Sequence, residues 1–134
     1  LGPAELLFWI IICHFIGDYL LQSHWMATKK TERWWPAVVH GFMYTVPFMF
    51  LPISPLALFV IGSTHAIIDR YRLAKYISYL KNLIGPKASR PTFEEAQKNS
   101  GYSASTPVWL SMWLMVITDN TMHILINIAA VTWL

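Results

Sequence analysis

Four apolar stretches divide this chain, and together they leave little room for any fold that is not helical and membrane-bound. They cover residues 6–21 (LLFWIIICHFIGDYLL), 34–51 (WWPAVVHGFMYTVPFMFL), a third opening at residue 56 (LALFVIGSTHAIID), and 107–134. A helix needs about 20 mostly apolar residues to cross a bilayer, and the first, second and fourth stretches approach or exceed that. The third meets Asp69 early, but Leu73, Ile77, Leu80 and Ile84 keep a 3–4 spacing beyond it. Arg70, Arg72, Lys75 and Lys81 are long enough there to snorkel to the surface. The pattern predicts one continuous helix, half in the bilayer and half emerging from it.

Composition agrees: 55% of residues are hydrophobic and 13% charged, where a soluble domain carries about 25% charged residues. A disordered chain, a disulfide scaffold (Cys13 is the only cysteine) and an ordinary cytosolic enzyme are excluded. The first stretch lacks a basic flank and carries a histidine and an aspartate, so it is not expected to be a cleaved signal peptide. The expected fold is all-α, an integral membrane four-helix bundle in a single domain over 1–134. Its transmembrane helices fall near 6–22, 34–51, 56–80 and 107–131, the third extended into the cytoplasm, with a polar cytoplasmic loop over 85–106.

Charge placement sets the expected orientation. Lys29, Lys30 and Arg33 follow the first stretch, and Arg70, Arg72, Lys75, Lys81, Lys87, Arg90 and Lys98 follow the apolar part of the third. The connection Pro52-Ile53-Ser54-Pro55 carries no charge. By the positive-inside rule the first and third connections are cytoplasmic and both termini lie outside. Within 85–106, Thr92-Phe93-Glu94-Glu95 fits a helix capping box.

Charged and imidazole side chains inside the apolar stretches are the chemical signal. Asp18, Asp69 and Asp119 sit there, with His14, His40, His65 and His123. Each ionised aspartate costs roughly 2.5–3.5 kcal/mol at a helix centre on insertion scales, so compensation is required. His14 and Asp18, and His65 and Asp69, are H-x-x-x-D pairs, and Asp119 and His123 are the same pair reversed. Positions i and i+4 share a helix face, so each pair can turn inward toward one centre. Imidazole and carboxylate suit zinc, manganese or iron, and the number of donors suits one or two divalent ions. The expected ligands are His14, Asp18, His65, Asp69, Asp119 and His123, with His40 a ligand or general acid. A bis-histidine haem gives no reason for an aspartate beside each histidine.

Gln22, Tyr44 and Asn127 each lie four residues beyond one of these groups and are expected to orient ligands. His24 is expected at the interface and Cys13 in the packing. Arg72 shares a face with Asp69 and is read equally as a phosphate-binding group or a lipid-headgroup anchor.

HFIGDYLLQSHWMATKK followed by HAIIDRYRLAKY resembles a family of unknown function among small bacterial and phage inner-membrane proteins, with an early H-x-x-x-D-x-x-x-Q and a later H-x-x-x-D-[KR]. More distantly, the chain is similar to membrane-bound metal-dependent hydrolases of the LexA-binding inner-membrane type. That resemblance implies a multi-pass metal site and hydrolysis. The paired H-x-x-x-D helices also look like the transport site of cation diffusion facilitators.

The expected function is metal-dependent hydrolysis of a phosphoester at the cytoplasmic face of a bacterial inner membrane, with His40 and Arg72 as catalytic groups. Divalent metal transport and a metal-stapled interaction protein are the alternatives. Expected partners are membrane lipid, a small phosphorylated substrate and a second copy of the chain, and no nucleic acid. No H-E-x-x-H, P-loop or nucleophile elbow is present.

Overall fold

The computed structural model describes residues 1–134 and is helical, with seven α-helices and no strand. The chain groups into two compact units, one of residues 1–71 with 123–134, the other of residues 72–122.

In the first unit, α1 (Pro3–Phe15) opens on a proline, whose missing N–H costs nothing at a helix start. It runs directly into a π-helical turn, Ile16–Leu20. The short α2 (His24–Lys29) is capped by Ser23, whose Oγ accepts from the Met26 N–H. Next comes α3 (Trp34–Thr45), which gives way to a 3₁₀ turn at Pro47–Phe50, since Pro47 supplies no N–H to continue the ladder. Helix α4 (Pro55–Tyr71) is capped by Ser54 Oγ, which accepts from the Ala57 N–H and donates to the Leu134 carbonyl.

Small residues let α3 and α4 pack closely. A Cβ on Gly41 would lie 2.8 Å from the Gly62 carbonyl oxygen, and one on Gly62 would lie 2.7 Å from Thr45 Cγ2. Without a side chain at these positions the two backbones can approach this closely. Ile10, Cys13, Tyr44, Phe48, Ala57, Ile61 and Ala130 form the core beside that contact.

The second unit holds α5 (Ala74–Leu83), a 3₁₀ turn at Lys87–Ser89, α6 (Phe93–Lys98) and most of α7 (Val108–Trp133). The capping box is present: Thr92 Oγ1 accepts from the Glu95 N–H, and Glu95 Oε1 accepts from the Thr92 N–H. Glu95 Oε2 also accepts from the Ala104 N–H at 2.6 Å. That bond, followed by the one from Thr92, holds the Glu95 carboxyl below its ordinary pKa. Gly101 takes φ +93°, and a Cβ there would collide with the Lys75 carbonyl oxygen, so only glycine fits.

The third apolar stretch differs from expectation. It is not one helix over 56–80 but α4 and α5, separated at Arg72, whose φ is +51°. A left-handed residue ends an α-helical ladder, and here it is an arginine. No glycine marks the break, and the apolar spacing runs through it undisturbed.

Two helices are long and apolar enough to cross a membrane, Pro3–Leu20 with 18 residues and Val108–Trp133 with 26. At 12 and 17 residues, α3 and α4 are shorter than the roughly 20 a span needs.

Candidate metal centre

His65 and Asp69 stand one turn apart on α4, and both point inward, 0% and 5% exposed. Asp18 comes from the π turn and His40 from the middle of α3, 4% and 0% exposed. One donor atom from each of the four lies within 4.8 Å of the others. His40 Nε2 is 2.9 Å from His65 Nε2, 3.2 Å from Asp18 Oδ1 and 3.2 Å from Asp69 Oδ2. His65 Nε2 is 3.2 Å from Asp69 Oδ2 and 3.5 Å from Asp18 Oδ1. An ion with metal–donor bonds near 2.1 Å holds tetrahedral ligands about 3.4 Å apart. The donor set therefore matches the edges of such a tetrahedron, and two imidazoles with two carboxylates are the chemistry a divalent transition ion prefers.

Local sequence makes this convergence possible. A Cβ on Gly17 would lie 2.6 Å from the Tyr44 carbonyl oxygen, so the glycine lets the π turn press against α3 and carries Asp18 toward His40. His14 stands at the end of α1 and Asp18 within the π turn that follows it. Asp18 reaches the four-donor group, whereas His14 Nδ1 bonds Tyr44 Oη at 2.7 Å.

Tyr44 is the scaffold beside the donors. Its ring stacks on His65 with centroids 3.7 Å apart and 13° between planes, and Asn127 Nδ2 donates to its hydroxyl at 2.7 Å. His123 Nε2 lies 3.2 Å from Asp69 Oδ1, on the carboxylate's other oxygen, and its ring is 4.1 Å from that of His65. The Nδ1 atoms of His40 and His65 are buried without a hydrogen-bond partner; the His65 ring is held by the Tyr44 stacking on its face and by the contacts of its Nε2. Gln22 follows the π turn, and its Oε1 is likewise buried without a partner.

The structure thus brings together Asp18, His40, His65 and Asp69, with His123 against Asp69 and with Tyr44, His14 and Asn127 in one hydrogen-bonded chain. Asp119 stands one turn before His123 on α7, within the second unit. Arg72 occupies the break after α4 and begins that same unit. His24 is exposed at the start of α2, and Cys13 is in the core.

One neighbour escaped the sequence reading. Lys30 Nζ lies 2.7 Å from Asp69 Oδ2, the oxygen that also faces His40 and His65. The sequence shows Lys30 only as a positive charge that orients the chain. Nothing local reveals a partner 39 positions away.

Over residues 6–134 the chain matches the family described as Protein of unknown function (DUF3307), and it belongs to that family. No curated protein and no solved structure matches it.

Proposed function

We propose that this member of a family of unknown function is a multi-pass bacterial inner-membrane metalloprotein whose divalent ion serves to hydrolyse a phosphoester at the cytoplasmic face. The observation that carries the metal is the spacing of the four donors, with 2.9–3.5 Å along five of their six edges. Zinc, manganese and iron all suit these donors.

Exposed apolar side chains support crossing by α3 and α4 as well as by the two longer helices. Trp35, Val38 and Phe42 on α3, and Leu56, Phe59 and Ile67 on α4, are all exposed, a surface that lipid covers at no cost. The bond from Ser54 to Leu134 supports a shared side for the uncharged 52–55 connection and the C-terminus. Lys30 beside Asp69 supports a site near the basic, cytoplasmic side.

A bound divalent ion lowers the pKa of its water toward 7 and supplies hydroxide. Asp18, His40, His65 and Asp69 would hold it, and the Lys30 ammonium offers a cation for phosphoryl oxygens. A second reading has its own support. Four protein donors can fill a tetrahedron, and closed sites of that kind staple folds.

Elemental analysis of the purified protein, a panel of phospholipids, nucleotides and polyprenyl phosphates, and melting with and without chelator separate the readings. Bound metal with turnover that chelator abolishes supports hydrolysis. Bound metal, no turnover and a chelator-sensitive melt favour the staple. Metal flux through reconstituted vesicles without turnover would replace both with transport. Protein that binds no ion under any of these conditions would end the metal reading.

A further inference from the structure

Asp69 Oδ2 has more claimants than a carboxylate oxygen has lone pairs. It faces His40 Nε2 and His65 Nε2, each at 3.2 Å, and accepts from Lys30 Nζ at 2.7 Å. The Lys30 contact is the shortest of the three and joins full opposite charges, with the lysine side chain 17% exposed and the aspartate side chain 3%. Charge-assisted hydrogen bonds of this kind are strong. A pair this deeply buried leaves an uncompensated charge when one partner is lost.

The lysine is held in place by a second tie. Arg70 Nη1 donates to the Thr31 carbonyl at 2.8 Å, and its guanidinium lies over the rings of Trp34 and Tyr71. Residues 30–31 are thereby strapped to residues 69–70 through two independent polar contacts, so Lys30 reaches Asp69 by construction of the fold.

We infer that the Lys30 ammonium and the metal ion compete for Asp69 Oδ2, which makes Lys30 the residue that sets how tightly the ion is held. Without metal, the ammonium compensates the buried carboxylate. With metal, the ion takes an Oδ2 lone pair and repels the ammonium, which turns toward the exposed edge. The inference rests on the metal reading of this site. On that arrangement, each departure of the ion is met by a tethered cation.

The test uses the full-length protein in detergent, with Zn²⁺ as the probe and a chromophoric chelator as competitor. Lys30→Met keeps length and bulk while removing charge, and Lys30→Arg retains charge. Lys30→Met should bind Zn²⁺ on the order of tenfold tighter or more, as expected for loss of a close like charge, with Lys30→Arg near wild type. In wild type, Zn²⁺ should raise the reactivity of Lys30 toward an amine-labelling reagent, a readout that needs no variant to fold. Equal or weaker Zn²⁺ binding by folded Lys30→Met, or Lys30 labelling unchanged by bound Zn²⁺, overturns the competition and leaves the metal site standing. Binding by Lys30→Met alone supports it in its strongest form. Zn²⁺ binding by neither protein overturns the metal reading, and this inference with it.

Discussion

Tyr44 shows how much one buried side chain can carry here. Its hydroxyl accepts from Asn127 Nδ2 and shares a hydrogen bond with His14 Nδ1, and its ring lies flat on His65. Tyr44→Phe keeps the stacking but takes this shared hydroxyl from two buried polar groups, and should destabilise the protein by about 2 kcal/mol. Denaturant unfolding in detergent would measure it; a change under about 0.5 kcal/mol would mean the hydrogen-bonded chain contributes little. Asp69→Asn acts differently. It removes one formal charge from a carboxylate that faces Lys30 and three imidazoles. It should lower the metal content per chain while Tyr44→Phe leaves that content near wild type, as elemental analysis of both variants would show.

Two local irregularities decide where functional groups go, and both are testable within single elements. The π turn at Ile16–Leu20 depends on Gly17. Gly17→Ala would drive a Cβ into the backbone of α3, not into a flexible side-chain end, so it should cost about 1–3 kcal/mol and displace Asp18. A lowered melting temperature accompanied by loss of bound metal is the expected result. The break between α4 and α5 depends on Arg72 at φ +51°, where glycine is relaxed and arginine strained. Arg72→Gly should therefore leave stability unchanged or raise it by up to about 1 kcal/mol. A melt that falls instead would show that the side chain carries weight of its own. At the start of α6, the Glu95 carboxyl is held below its usual pKa by the Ala104 and Thr92 N–H groups. The stabilisation is complete above the unfolded-state value and disappears as pH falls through the lower folded value. Hydrogen exchange at Ala104 and Thr92 should accelerate on acidification, after correction for intrinsic rates, and Glu95→Gln should blunt the effect.

Across the whole molecule, orientation is the property most open to direct measurement. With Cys13 replaced, single cysteines at Glu32 and Lys87 should label from the cytoplasm and one at Pro52 from the opposite side; labelling of Glu32 and Pro52 from one side would overturn the four-span proposal. Helical character was legible along the chain because hydrophobic periodicity and length are local properties, and the capping box at Thr92 was legible for the same reason. So was the presence of aspartates and histidines in apolar surroundings, a chemical conflict visible from composition alone. Spacing also kept His65 and Asp69 on one face, since α4 is regular between them. Between His14 and Asp18 the π turn intervenes, a local winding that an i,i+4 rule built on 3.6 residues per turn does not anticipate. The helix break at Arg72 was hidden because backbone conformation there is imposed against the residue's own preference. His40 against His65, Tyr44 between His14 and Asn127, and Lys30 on Asp69 join residues 25 to 83 positions apart. No local pattern encodes such pairs. They exist because Gly17 and Gly41 let their helices approach closely, and the donors met only once that packing was made.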